Sequence, residues 1–262
     1  ATQQLENAVA TLRGLEGSQA QASLAAALHN LGVAYDLQGR YAVAETVFRE
    51  KLTLAEDGRE LGEDELARTL NSLGIVLWNQ GRYGESEEVF QRALAVREEL
   101  YGPQSDEVAK TLFNLGNLAH ALGELDRAEG YFTRALAIER MIKSPDHPDV
   151  ASSLNNLGSL YKDLGRLDEA RRSTEEALAI WEKVLGADHP DVGIAVHNLG
   201  NLARDAGDLD RAFELYARAR EIWVESLGPE HMFVAINDSQ EAAARAASGE
   251  TGIAEELYER AL

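Results

Sequence analysis

Leu28-His29-Asn30-Leu31-Gly32 returns as Leu70-Asn71-Ser72-Leu73-Gly74, Leu112-Phe113-Asn114-Leu115-Gly116, Leu154-Asn155-Asn156-Leu157-Gly158 and Val196-His197-Asn198-Leu199-Gly200. The closing glycines are 42 residues apart, and a second glycine follows seven residues after each, at Gly39, Gly81, Gly123, Gly165 and Gly207, with one more at Gly249. A fixed period of this length means one supersecondary unit stacked on itself. Such a stack has no single core, and no active-site cleft is expected in it.

Within the first copy, Leu28, Leu31, Gly32 and Tyr35 stand at i, i+3, i+4 and i+7, which is one face of an α-helix. Gly39 supplies the left-handed stop that a helix end demands. A second helix carries Ala44, Phe48, Lys51 and Leu52 at the same spacing, matched by Ser86/Phe90/Ala93/Leu94, Ala128/Phe132/Ala135/Leu136 and Ala170/Thr174/Ala177/Leu178. Small residues let two antiparallel helices approach to about 8–10 Å, with the aromatics filling the space between repeats. The fold class is therefore all-α, a right-handed superhelical solenoid of antiparallel helix pairs. First helices are expected near 24–38, 66–80, 108–122, 150–164 and 192–206.

All five prolines fall in the joints, where no helix interior is broken. The joints Asp146-His147-Pro148-Asp149-Val150-Ala151 and Asp188-His189-Pro190-Asp191-Val192-Gly193 read as helix starts, with Pro early in the first turn and acid at the positive end of the dipole. The joint over residues 57–64 has no proline and is expected to be looser. The chain divides into a capping helix (Leu5 to Glu16) and joint over 1–23, five repeats over 24–233, and a degenerate sixth repeat or cap over 234–262. In that last part Asp238 and Glu241 replace two core leucines, while Ala254, Tyr258, Ala261 and Leu262 restore the second-helix pattern.

The 262 residues hold 45 acidic against 25 basic side chains, a net charge of −20. Such a surface repels phosphate backbones and anionic lipid, so nucleic acid and membrane are disfavoured as partners. No run of 18 apolar residues exists to span a bilayer. With no cysteine, disulfides, thiolate metal sites and cysteine nucleophiles are excluded. The chain opens on Ala1 without an initiator Met or signal-like stretch, so it reads as an excised segment of a cytoplasmic protein.

The Gly, Tyr, Ala, Phe, Ala frame resembles the tetratricopeptide repeat, in the 42-residue form found in kinesin light chains and many bacterial proteins. The joint phrase of that form appears as Leu185-Gly186-Ala187-Asp188-His189-Pro190-Asp191-Val192 and, weakened, as Leu227-Gly228-Pro229-Glu230-His231-Met232-Phe233-Val234. Departures are local: Thr174 for an aromatic, Arg220 for leucine, Ser72 for asparagine. The resemblance implies that the first helices line a concave groove in which kinesin-light-chain-like proteins hold short peptides.

The face beside the leucine stripe supplies the candidate groove residues: Asn30 in the first copy, then Arg68, Asn71, Ile75 and Trp78. Lys110, Phe113, Asn114 and Asn117 follow, then Asn155, Asn156 and Lys162, then Asn198, Asn201 and Arg204. An amide offers both donor and acceptor and so can pair with an extended peptide backbone. Four cations against three aspartates leave this face near neutral inside an acidic shell, which favours a peptide with acidic residues and an apolar anchor on Phe113, Trp78 or Ile75. Two readings of the asparagines compete. Asn30, Asn114, Asn156 and Asn198 recur at one place and suit helix-to-helix bonds as well as ligand, whereas Asn71, Asn117, Asn155 and Asn201 lean to ligand. The clamp with which some tetratricopeptide domains grip a C-terminal carboxylate is a poor match: His29, Val33 and Ser72 stand at its places, and only Lys110 fits.

His147, His189 and His231 recur once per repeat, too far apart for one zinc ion with bonds of about 2.1 Å, and suit helix capping instead. No phosphate loop, Gly-x-Ser-x-Gly or His-Glu-x-x-His pattern occurs. No cofactor, metal or catalytic residue is expected. The function read from the sequence is a protein-interaction scaffold. The alternative is a regulatory or assembly arm of a larger signalling ATPase or protease whose catalytic domain lies elsewhere, and self-association is compatible with both.

Overall fold

The computed structural model describes residues 2–15, 17–57 and 61–261, which form thirteen α-helices with no strand among the described residues. In chain order these are α1 (Thr2–Leu12), α2 (Ser18–Asp36), α3 (Tyr41–Asp57), α4 (Gly62–Asn79), α5 (Tyr83–Tyr101), α6 (Asp106–Ala121) and α7 (Leu125–Ile142). They continue as α8 (Pro148–Asp163), α9 (Leu167–Leu185), α10 (Pro190–Asp205), α11 (Leu209–Leu227), α12 (Met232–Ala247) and α13 (Thr251–Ala261). Glu16 of the expected capping helix, residues 58–60 of the expected loose joint and Leu262 lie outside the described residues. Two compact units result, Ala1–Ile138 and Glu139–Leu262, with the boundary inside α7.

The first helices begin earlier than the apolar frame drew them, at Ser18, Gly62, Asp106, Pro148 and Pro190. The frame marks buried positions, and a helix's first turn carries caps and acids instead. Ser105 Oγ accepts from the backbone N–H of Val108, and the ring nitrogens of His147, His189 and His231 accept from the N–H groups of Asp149, Asp191 and Phe233 at 3.1–3.2 Å. The recurring histidines are helix caps, as their Pro and Asp neighbours indicated. At the other end Gly123 adopts a φ of 75°, a conformation costly for any residue with a Cβ, and lets the chain leave α6 for α7.

In the first unit α2 packs on α3 and α4 on α5, with α3 on α4 and α5 on α6; in the second, α8–α9, α10–α11 and α12–α13 pair likewise, joined by α9 on α10 and α11 on α12. The helices of a pair meet through one repeated contact. A Cβ at Gly32, Gly74 or Gly116 would sit 2.6 Å from the ring of Phe48, Phe90 or Phe132. In the second unit Tyr216 lies 3.0 Å from the corresponding point at Gly200, while at Gly158 the departure Thr174 fills the place with its hydroxyl. Phe48, Phe90, Phe132 and Tyr216 are all buried.

The acids that replace core leucines near the end of the chain are interior. Asp238 is 1% exposed and accepts from Arg220 Nε at 3.1 Å, with Arg260 Nε at 3.5 Å; Glu241 pairs with Arg245. Arg220 and Asp238, two departures 18 residues apart, are each other's partners. Asp238 thus has two cationic partners, and removing both would leave a buried carboxylate uncompensated.

Two glycine-to-alanine changes in the first unit separate packing from propensity. Gly116→Ala drives a methyl into the Phe132 ring and should destabilise by about 1–3 kcal/mol. Gly130→Ala on α7 meets nothing within 4 Å and should stabilise by up to about 1 kcal/mol, the ordinary helix preference for alanine. Urea denaturation of the two variants checks both signs.

Candidate binding face of the first helices

α2, α4 and α6 in the first unit, and α8, α10 and α12 in the second, present the residues that the repeat phrase singled out. Much of their polarity is spent between helices. Asn114 on α6 donates to Asn71 on α4 at 3.0 Å, Asn198 on α10 donates to Asn155 on α8 at 3.0 Å, and Asn79 on α4 donates to Asp36 on α2 at 2.9 Å. Each bond joins residues 43 apart, one more than the repeat. Asn155 is buried, and Asn201 accepts from the Tyr216 hydroxyl at 2.8 Å. Asn71, Asn155 and Asn201, which the sequence inclined towards ligand, each accept one hydrogen bond from within the protein, and Asn71 and Asn201 remain half-buried. Such bonds still leave one edge of an amide over, since each carries two donors and two acceptor lone pairs. Asn117 and Asn156 are half-buried on α6 and α8, and Asn30 is exposed on α2.

The cations are paired as well. Arg68 lies 3.4 Å from Glu65 and 3.9 Å from Asp64, and Lys110 2.5 Å from Asp106. Lys162 meets Asp163 at 3.0 Å, and Arg204 meets Asp205 at 2.9 Å and Gln240 at 2.6 Å. Counting only the aspartates of the face had missed Asp64, Glu65 and Asp106, which sit a helical turn before their partners. The face is therefore not positive. Exposed pairs of this kind are worth about 0–1 kcal/mol, so an incoming carboxylate can exchange with one at little cost.

The apolar candidates share the first unit. Ile75 is exposed on α4 beside the half-buried Trp78, and Phe113 on α6 is half-buried with its ring edge against Phe132, centroids 5.9 Å apart. A recess of about 260 Å³ opens between α2 and α4, lined by His29, Asn30, Glu65 and Arg68 with Ala22, Ala25, Ala26 and Leu61. Behind it Lys51, fully buried, reaches Glu65 Oε1 at 2.5 Å. Burial, with Lys51 and Arg68 nearby, holds the His29 imidazole below its ordinary pKa; burial also lowers Lys51, against the pull of Glu65. Sequence reading did not place Lys51 or Glu65 here. The available signal was a lysine at a position of the second helix where Ala93, Ala135 and Ala177 stand in other copies.

In the second unit the face is more closed. Asn237 Nδ2 donates to the Tyr216 carbonyl at 3.0 Å, which turns its Oδ1 to accept from His197 Nδ1–H at 2.9 Å. His197 is buried between the Tyr216 and Trp223 rings, each 5.7 Å away centroid to centroid. Among the described residues no group of three metal-ligating side chains converges, and no helix is long and apolar enough to cross a membrane.

Stacked helix pairs of this kind define a protein-interaction scaffold. The chain belongs to the tetratricopeptide repeat family: models of that repeat match residues 27–61 and, in overlapping stretches, 65–141, 121–179, 149–214 and 191–262. Among solved structures it is similar to BtubC (BKLC) from P. vanneervenii, with 28% identity and a TM-score of 0.76, over 87% of this chain and 91% of that one. A putative kinesin light chain with nearly identical TPR-like repeats from Podosopora anserina shares 23% identity at a TM-score of 0.61, over 74% and 92%. The Rap conjugation gene regulator of the plasmid pLS20, in complex with the Phr* peptide, shares 15% identity at a TM-score of 0.67, over 93% and 73%. No curated protein matches the chain.

His197 makes stability pH-dependent with a definite sign. Burial keeps the folded imidazole neutral and its pKa below the ordinary 6.5, although the Asn237 bond opposes this. The stabilisation is complete above about pH 6.5 and is lost as pH falls below it, because the unfolded chain then takes up a proton that the folded one resists. Thermal melts at pH 7.5 and pH 5 should show a smaller drop for His197→Gln than for the parent.

Proposed function

We propose that this protein is an interaction scaffold that holds an extended peptide segment on the first-helix face, with the recess between α2 and α4 as the principal contact. The observation that carries this reading is that recess: about 260 Å³ of polar-walled space with exposed Asn30 and Arg68 at its rim and His29 within. An exposed amide suits the backbone of an extended chain, and Arg68, paired only with partly exposed acids, can turn to a peptide carboxylate. Ile75, exposed on the next turns of α4, offers the apolar anchor, with Trp78 one turn on along the same helix and Phe113 on the next first helix. The partner chemistry that fits is an acidic residue near a large apolar side chain. That a Rap-type regulator of similar fold is complexed with a peptide supports a peptide as the class of ligand. Because each cation already has an acid, the preference for acidic peptides is expected to be modest and to weaken as salt shortens the Debye length from about 10 Å at 0.1 M to about 3 Å at 1 M.

Calorimetric titration of matched acidic and basic peptide pools tests this. Acidic peptides should bind more tightly, by about tenfold at low salt, and Asn30→Ala with Arg68→Ala should abolish the difference while leaving the melting temperature nearly unchanged. Tighter binding of basic peptides, or full affinity in the folded double variant, would remove the recess from consideration.

A further inference from the structure

One inter-repeat seam recurs twice in described form, and its two copies differ in a telling way. In the first unit Glu87 on α5, Tyr131 and Arg127 on α7, and Leu115, Leu118 and Leu122 at the end of α6 close it completely. Arg127 bridges to Glu87 of the preceding second helix and donates to the Tyr131 hydroxyl at 3.3 Å, its guanidinium 5.8 Å from the ring centre. No room for a water molecule remains there. Two repeats on, within the second unit, the same positions are Arg171, Leu215, Arg211, Leu199, Leu202 and Ala206. The glutamate has become an arginine, the tyrosine a leucine and one leucine an alanine.

The consequence is a cleft of about 310 Å³ between α9, α10 and α11. Two guanidiniums now face across the seam and cannot bridge, so each turns to an acid of its own helix: Arg171 to Asp168 at 3.1 Å and Arg211 to Glu214 at 2.8 Å. All four of these side chains are more than half exposed. In the earlier repeats the arginine's place is held by Glu45, Glu87 and Glu129, and Glu45 also reaches across to the next repeat, to Arg82 at 2.6 Å. The floor of the open cleft is apolar, with Leu202 and Leu215 buried and Leu167 and Leu199 half-buried. Asp168, Glu175 and Asp208 stand at its rim.

We propose that this cleft is a second docking site, distinct from the first-helix face, for a partner segment that inserts an aromatic side chain beside a carboxylate. The closed copy in the first unit is the template: the guest's ring takes the place of Tyr131, and its carboxylate takes the place of Glu87 between the two arginines. A cleft of this size is at the small end of ligand pockets and suits one side chain. The exposed pairs Arg171–Asp168 and Arg211–Glu214 yield cheaply to a carboxylate that both arginines can share.

The probe is the capped tetrapeptide Ac-Glu-Tyr-Glu-Gly-NH2, titrated calorimetrically against the full chain, with its Tyr→Ala and its Glu→Gln counterparts as controls. The parent peptide should bind at least tenfold more tightly than either control. Arg171→Glu with Leu215→Tyr and Ala206→Leu restores the residues of the closed seam, so it should raise the melting temperature and weaken the peptide at least tenfold. Arg171→Glu alone, which changes no buried residue, should also weaken it. Asn30→Ala with Arg68→Ala on the other face should leave the Arg171-sensitive part of the binding unchanged, which separates this site from the first-helix reading. Absence of binding at millimolar peptide, equal binding of the alanine control, undiminished affinity in both Arg171 variants, or loss of the Arg171-sensitive part in the first-helix variant would each overturn the proposal.

Discussion

Everything in the repeat is arranged around an aromatic ring lying on a bare backbone. Phe48, Phe90 and Phe132 each rest where the first helix of their pair has glycine, closer than any side chain would allow. The contact fixes how near the two helices come and, because the ring is flat and the glycine is a single point, also fixes their rotation. The alanines flanking the ring, such as Ala93 and Ala135, are fully buried because that approach leaves room for nothing larger. Once pair geometry is set in this way, the leucine stripe of each first helix faces inward and its remaining face is available to polar groups.

Those polar groups serve the stack before they serve any ligand. The bonds Asn71–Asn114, Asn155–Asn198 and Asp36–Asn79 connect neighbouring first helices at one offset, so they act as spacers that hold the helices in register. A net hydrogen bond contributes only about 0.5–1.5 kcal/mol, but leaving such an amide unpaired inside the stack would cost about 1–3 kcal/mol. Asparagine at these places is therefore a structural requirement first. Outside these bonds the face keeps the exposed Asn30, the recess of His29 and Arg68, and the exposed apolar Ile75.

The architecture was legible because it depends on periodic, irreplaceable residues: a glycine every 42 positions, the aromatic that lies on it, and histidine or serine before a helix start. The candidate face was legible as a set of positions but not as a set of roles. Nothing in the spacing tells whether Asn71 meets Asn114 or a ligand, since the bond runs between residues 43 apart in two different repeats. Departures were read one at a time, and they act in pairs. Arg220 is intelligible only with Asp238, and Lys51 only with Glu65. Arg171 is intelligible only against its counterpart Glu87, whose bridge to Arg127 it cannot make. Long-range partnership is a property of the packed helices, and a single sequence does not display it.

In both units consecutive helices pack on one another, and the first helices also touch weakly two places on, α2 with α4, α4 with α6, α8 with α10 and α10 with α12. Contacts so close along the chain need only short loops to close, so their entropic cost is small. Each helix pair can become native as soon as its neighbour exists, without waiting for a distant segment. Such a molecule suits assembly during synthesis on the ribosome, where the earlier repeats are already a template when the later ones emerge.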